Sequence, residues 1–272
     1  MSANSSNVTG RSLIRAGWST LCADRELLAL PLLGSVVSLF AALPFAVLYL
    51  FIPSDAGLME WIPVAAAVLV YTFILTLFAV ALAAGASERM NGGDPTFSFA
   101  IGHAWSRRSA ILQWSMLTTA VGVLLRLIEQ RFPVAGRFIS ALGSLTWAIA
   151  SYFTIPVLAV ETGSGLDALK SSARVIEQRW GKALRFNLRV LLYQLVIVML
   201  TITLVIAAAV SFESSAALAA LLGVTAILFL AVAGFLLSAV SAVARVALYR
   251  YAVGLPVPGF DPTALDQAVK SA

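Results

Sequence analysis

Five long runs without a charged residue constrain this chain more than any other feature of its sequence. They cover residues 27–52, 62–86, 138–160, 190–212 and 214–244. An α-helix rises about 1.5 Å per residue, so about 20 apolar residues cross the roughly 30 Å hydrocarbon core of a bilayer. A sixth run, residues 110–125, reaches that length if its helix continues past Arg126 to Ile128. An arginine near a helix end is tolerated because its side chain extends towards the interface.

The composition excludes an ordinary soluble domain. Hydrophobic residues make up 60% of the chain and charged residues only 11%, whereas soluble domains carry about 25% charged residues. With one cysteine, Cys22, and one histidine, His103, the chain offers neither a disulfide framework nor a Cys/His metal cluster, and we expect no cofactor and no metal. We assign the net charge of +5 to loops facing an anionic membrane surface, and expect no nucleic-acid partner.

The distribution of basic residues predicts the orientation. With six spans, fifteen of the eighteen Lys and Arg residues fall on the side of both termini, and only Arg126, Arg131 and Arg137 fall on the other. Cytoplasmic loops carry the excess of Lys and Arg, so both termini are expected in the cytoplasm and the protein in the cytoplasmic (inner) membrane. The first 26 residues are polar and lead into a run longer than a signal-peptide core, so we expect the first span to be retained.

Three segments on the cytoplasmic side share a spacing of isoleucine and tryptophan. In each, an isoleucine precedes a tryptophan by four residues, on a short amphipathic stretch that leads into two spans. The pairs, which we interpret as interfacial anchors, are Ile14 and Trp18, Ile101 and Trp105, and Ile176 and Trp180.

The fold class predicted from this pattern is an all-α membrane protein with six transmembrane helices in three hairpins, each preceded by a short interfacial amphipathic helix. We expect one polytopic membrane domain, 1–272, with repeats at residues 10–86, 94–160 and 165–254 and a short cytoplasmic tail at 255–272. The alternative is that amphipathic helices and tryptophans gather at interfaces without any repeat.

Helix start signals and small-residue spacing make three local predictions. Ser164 and Asp167 form a capping box at the start of the third amphipathic helix, and Asp94 followed by Pro95 is typical of the start of the second. A stripe of small residues in the run at residues 214–244 predicts close helix packing. The stripe consists of Gly234, Ser238 and Ala242.

Charged residues at the span ends predict structural ion pairs rather than a catalytic centre. Arg126 and Glu129 are three residues apart and are expected to pair on one helix face. Glu161 ends the fourth span, where the helix dipole disfavours an anion, so we expect Lys170 or Arg174 to pair with it. His103 has no acidic residue within a helical turn and is expected to be solvated. No catalytic site is predicted.

Several strings together resemble a family of bacterial multi-pass membrane proteins known as domain of unknown function 6159. They are Asp24-Arg25-Glu26-Leu27, Gly92-Gly93-Asp94-Pro95, Leu125-Arg126, Ile155-Pro156-Val157-Leu158, Trp180-Gly181, Leu248-Tyr249-Arg250-Tyr251-Ala252 and Gly259-Phe260-Asp261. The resemblance implies a bacterial cytoplasmic-membrane protein without an established activity. A looser similarity is to the membrane domains of some glycerophosphodiester phosphodiesterases, but their soluble barrel has no counterpart in this sequence.

These observations favour a protein that is not an enzyme. We expect a scaffold, an accessory subunit or a lipid-organising factor, whose partners are anionic lipid headgroups at the cytoplasmic face and other membrane proteins. The alternative is a small-molecule or lipid transporter or channel. Its polar candidates in the fifth span are Tyr193, Gln194, Thr201 and Thr203. A lipid-modifying enzyme is the third and least supported hypothesis.

Overall fold

The computed structural model describes residues 13, 15–22, 25–53, 57–132, 135–179, 184–211 and 215–270, and within them every long element is a helix. A single 3₁₀ turn, Gly57–Glu60, precedes the third helix. In chain order the helices are α1 (residues 15–22), α2 (Arg25–Tyr49), α3 (Trp61–Met90), α4 (Phe97–Ser106), α5 (Arg108–Arg131), α6 (Ala135–Ala150), α7 (Thr154–Val160), α8 (Gly165–Arg179), α9 (Leu184–Ser211), α10 (Ala216–Ala252) and α11 (Pro262–Lys270).

Five helical segments are long and apolar enough to cross a membrane. They are Glu26–Tyr49, Trp61–Met90, Arg108–Arg131, Ala135–Val160 and Ala216–Ala252. The apolar segment described within α9, Leu195–Ser211, is shorter. The all-helical membrane class is thus confirmed with five candidate spans. The span predicted at residues 190–212 stays a prediction.

The long helices pack in sequential pairs, and α3 is the central one. Helix α2 packs along α3, α5 along α6, and α9 along α10. Helix α3 also contacts α4, α5, α7 and α10. The buried core lies at one end of this arrangement, where the C-terminal parts of α3 and α10 meet the N-terminal parts of α2 and α5. Away from that end, α2, α9 and α10 expose large apolar side chains such as Phe40 and Ile227, which a bilayer would cover.

The fourth predicted span is interrupted. The sequence predicts one run over residues 138–160, but helix α6 ends at Ala150 and α7 begins at Thr154. Pro156 accounts for the break, because its ring lacks an N–H and clashes with the carbonyl four residues earlier. The indoles of Trp114 and Trp147 stack with ring centroids 5.3 Å apart and hold α5 against α6 just before the break.

The short helices meet the buried end of the bundle. The capping box of α8 is confirmed: Ser164 Oγ accepts from Asp167 N at 3.2 Å, and Asp167 Oδ2 accepts from Ser164 N at 3.1 Å. The predicted start of α4 is wrong, because Thr96 is its N-cap and accepts from Phe99 N. Asp94 does not cap the helix and instead forms an ion pair with Arg89 at 2.9 Å.

The segment after residue 254 is more than a tail. Helix α11 folds back onto the bundle, where Ala264 and Leu265 are buried together with Phe260. The Tyr251 hydroxyl donates to Asp266 Oδ1 at 2.8 Å and ties α11 to the end of α10. This docking adds a fourth short helix at the same end of the molecule.

Candidate functional site

A buried arginine joins the ends of α3 and α10. Arg250 is only 2% exposed. Its Nη1 donates to Ser87 Oγ at 2.6 Å and to the Ser87 carbonyl at 3.2 Å, and its Nη2 donates to Asn91 Oδ1 at 2.6 Å. Both Nε and Nη2 also donate to the carbonyl of Pro256, at 3.2 and 3.0 Å. A guanidinium has five N–H donors, and these five contacts satisfy them all.

The acceptors around Arg250 are neutral groups of the protein itself. The arginine therefore holds parts of the chain together, which is a structural role. Burying a charge costs free energy unless hydrogen bonds replace its water. Glu88, one residue from Ser87 on α3, attracts the guanidinium without forming an ion pair with it. Sequence reasoning missed this site. The only sign of this site in the sequence is one basic residue, which lies near the end of a stretch that is otherwise apolar and long enough to span a membrane.

Glu161 forms a second polar cluster between α7, α8 and α10. Its carboxylate accepts hydrogen bonds from the hydroxyl of Tyr249 and from Ser171 Oγ, the latter at 3.1 Å. The expected ion pair with Lys170 or Arg174 is wrong. Both of those side chains lie on the exposed face of α8. Ser171, the residue after Lys170, faces the Glu161 carboxylate instead.

Helix α4 is fixed to the end of α7 by two further hydrogen bonds. His103 Nε2 donates to the carbonyl of Ala159 at 2.8 Å, and Arg107 Nη1 donates to the carbonyl of Glu161. These carbonyls lie at the C-terminal end of α7, where backbone carbonyls find no hydrogen-bond donor within their own helix. The expectation that His103 is solvated is therefore wrong, because the ring is half-buried and bonded.

Ser172 of α8 bridges the break between α6 and α7. Its Oγ donates to the carbonyl of Ala150 at 2.7 Å and accepts from Phe153 N at 3.0 Å, and the side chain is fully buried. Backbone groups freed by a helix break are costly in an apolar environment unless a neighbour bonds to them. Ser172 thus stabilises the interruption that Pro156 causes.

One small pocket lies among the described residues at this end. A pocket of about 10 Å³ lies beside Glu161 and is lined by α7, α8 and the loop between them. Gly165 begins α8 there in close contact with α5: a Cβ on this residue would lie 2.6 Å from Ala110 O and Trp114 N. In the described ranges no three His, Cys, Asp or Glu side chains are grouped so as to hold a metal.

The predicted interfacial anchors divide into two orientations. Ile101 and Ile176 are half-buried and pack against the core, whereas Trp18 and Trp105 are 41% and 54% exposed. The isoleucines thus attach the short helices to the protein, and the two tryptophans point away from it. Ile14 and Trp180 lie outside the described residues.

Arg126 and Glu129 form the ion pair expected from their spacing. Arg126 Nη1 lies 3.2 Å from Glu129 Oε2 near the C-terminal end of α5. Two residues further, Arg131 ends the helix. Whether the pair stabilises the protein stays a prediction.

Among the described residues, the small-residue stripe does not form a contact face. A Cβ on Gly234 would meet no atom within 4 Å, and Ser238 is exposed. Only Ala242 packs against the core. The buried face of α10 is instead the one that carries Ala239, Val243 and Arg250.

Three of the four polar residues proposed for a transport path have described side chains, and each bonds within its own helix or is exposed. Thr201 Oγ1 donates to the carbonyl of Ile197 at 2.8 Å, and Thr203 Oγ1 to that of Met199 at 2.9 Å, so both hydroxyls bond within α9. The Tyr193 side chain is exposed. The side chain of Gln194 lies outside the described part of the structure. Helix α9 packs mainly against α10.

The long apolar helices define an all-helical, membrane-embedded protein. The chain belongs to the family of unknown function DUF6159, whose pattern it matches over residues 62–257. The resemblance inferred from the sequence is therefore confirmed. Neither a curated protein nor a solved structure matches the chain.

Proposed function

We propose that this protein is a non-enzymatic scaffold or lipid-organising factor of the bacterial cytoplasmic membrane. The observation that carries the proposal is the way its polar groups are used: Arg250, Glu161 and Ser172 are all bonded to other parts of the chain. A catalytic or transporting site needs polar groups that face a substrate. Here these groups hold short helices to long ones and so build a rigid platform at one end.

The proposal includes a topology of six spans in three hairpins with both termini cytoplasmic. The sequential pairing of α2 with α3, α5 with α6, and α9 with α10 supports it. Each pair follows a short helix, α1, α4 or α8, as the threefold repeat requires. The length of α5 also fits: Arg108 and Arg126 are about 27 Å apart along the helix axis, close to the thickness of the hydrocarbon core.

The short helices are proposed to lie along the cytoplasmic interface. Trp18 and Trp105 are directed away from the core, and tryptophan is enriched where headgroups meet hydrocarbon. Arg89, Arg107 and Arg108, which are basic residues of the predicted cytoplasmic side, lie next to α4 in the chain, where they attract anionic headgroups. In this arrangement the polar clusters lie just beneath the membrane surface.

Co-purification from native membranes tests the function. We expect the protein, extracted with its surrounding lipid in polymer nanodiscs, to retain anionic phospholipid above its bulk proportion and to retain other membrane proteins. The matched control is the same protein exchanged into phosphatidylcholine nanodiscs before analysis. Substrate flux in liposomes that contain the purified protein alone, or its turnover of a lipid or nucleotide, would contradict the proposal and support the transporter or enzyme hypothesis.

A further inference from the structure

An exposed stripe of one tryptophan, one arginine and two apolar residues extends from the end of α4 along the first turns of α5. We call Trp105, Arg108, Leu112 and Met116 the α5 stripe. Leu112 is 43% and Met116 55% exposed, and both continue the exposed line of Arg108 because four residues make about one helical turn. The Arg108 guanidinium lies over the indole of Trp105, with Cζ 5.8 Å from the ring centroid.

We propose that the α5 stripe binds one phospholipid with a net negative headgroup. The phosphate contacts Arg108, the glycerol region contacts Trp105, and an acyl chain lies along Leu112 and Met116. This inference rests on the proposed placement of α4 at the cytoplasmic interface, and it adds to the proposed function a specific lipid and the residues that bind it.

Charge complementarity identifies the occupant. No acidic residue occurs between Asp94 and Glu129, while Arg107 and Arg108 are adjacent. Arg107 is held by the carbonyl of Glu161. Arg108 makes one long hydrogen bond, Nη1 to the carbonyl of Trp105 at 3.3 Å, so most of its N–H donors face outward. A guanidinium that is oriented by an indole and retains free donors is suited to bidentate contact with a phosphate.

The dimensions of the stripe match one leaflet. Arg108 and Met116 are separated by about 12 Å along the helix axis, and half of the hydrocarbon core is about 15 Å thick. A phosphate at Arg108 therefore places the first part of an acyl chain beside Leu112 and Met116. The exposed side chain of Leu124 continues the apolar surface towards the other leaflet, as expected for a surface that lipid covers.

Lipid titration followed by native mass spectrometry tests the site. The full-length protein in detergent is titrated with phosphatidylglycerol and, separately, with phosphatidylcholine. We expect the first phosphatidylglycerol to bind the wild type about tenfold more tightly than it binds Arg108→Gln, because a charge-assisted contact to phosphate is lost. Trp105→Leu should weaken the binding by a smaller factor, since it removes the ring that orients the arginine.

Arg174→Gln is the matched control. Arg174 is an exposed arginine on the proposed cytoplasmic side, so its replacement removes the same charge at a position outside the stripe, and binding should stay within about twofold of the wild type. Equal losses in both arginine variants would show general electrostatic attraction and overturn the site. So would unchanged binding in Arg108→Gln with a native thermal unfolding temperature, or displacement of the lipid by millimolar glycerol phosphate. None of these results alters the flux and turnover measurements that test the proposed function.

Discussion

Arg250 Nη2 donates a 2.6 Å hydrogen bond to Asn91 Oδ1, and this bond joins two residues that are 159 positions apart in the chain. Asn91 directly follows α3 and Arg250 lies in the last turn of α10. The same guanidinium binds Ser87 and Pro256, so one side chain holds together two long helices and the segment that leads to α11. Its partners are therefore expected to determine the stability of the whole bundle.

We predict that Asn91→Ala lowers the free energy of unfolding by about 2 kcal/mol. The change leaves a donor of a buried guanidinium without a partner, and such a loss costs roughly 1.5–3 kcal/mol. Asn91→Asp is the control, because it keeps the acceptor oxygen and adds an opposite charge, so its stability should stay near that of the wild type. Thermal unfolding in nanodiscs measures both variants. Similar unfolding temperatures for Asn91→Ala and the wild type would mean that Arg250 does not need this bond.

We predict that Ser172→Ala destabilises the protein by about 2–3 kcal/mol. It removes the hydrogen bonds that Ser172 makes to the Phe153 N–H and the Ala150 carbonyl at the break between α6 and α7, and the loss of such buried bonds is costly. The adjacent change Ser171→Ala is the control. It removes one bond to the exposed carboxylate of Glu161, which water can replace, so its cost should be about 1 kcal/mol or less. An equal effect of the two variants would contradict the bridging role of Ser172.

We predict that Glu129→Ala destabilises the protein more than the double change Arg126→Gln with Glu129→Gln. Removing the carboxylate alone leaves the Arg126 charge unpaired near the membrane boundary, whereas the double change removes both charges. Thermal unfolding in nanodiscs of about 30 Å hydrocarbon thickness compares the two. If the single variant is as stable as the double variant or more so, the two residues act separately and each faces water.

We predict an acid-dependent contribution from Asp167. The hydrogen bond from the Ser164 hydroxyl, with a second from the Ser164 backbone N–H, lowers the pKa of the Asp167 carboxyl below its ordinary value of 3.8. Because the folded state lowers this pKa, the stabilisation is complete above the ordinary value and is lost as the pH falls through the lowered one. The difference in unfolding temperature between wild type and Asp167→Ala should be constant from about pH 7 to pH 5 and shrink below about pH 4. A difference that grows on acidification would contradict the sign.

We predict that cysteines introduced at Ser5 and Ser271 are not labelled in intact cells by a membrane-impermeant maleimide. Both termini are cytoplasmic in the proposed topology, so the reagent cannot reach them. The background is Cys22→Ser, and a cysteine at Asp55, in the loop between the first two spans, is the positive control. Strong labelling at either terminus, together with protection at Asp55, would reverse the orientation.

Local features of the structure could be predicted from the sequence, because helix geometry determines them. The lengths of the apolar runs predict six spans, and five helices of the structure are long and apolar enough to be spans. The spacing of Arg126 and Glu129 and the capping box of Ser164 and Asp167 place partners within one turn of each other. These contacts form in any helix of this sequence and need no knowledge of how the helices pack.

Only the tertiary structure decided which helix faces are buried and which polar groups meet. Tyr249 bonds to Glu161 across 88 positions, and Arg250 to Ser87 across 163. The spans are apolar on all sides, and lipid covers an apolar face as well as another helix does, so their hydrophobic pattern does not mark the contact face. For this reason the spacing of small residues predicts packing at the stripe containing Gly234, where a Cβ meets no described atom within 4 Å. Arg250, on another face of the same helix, lies instead at the centre of the buried end.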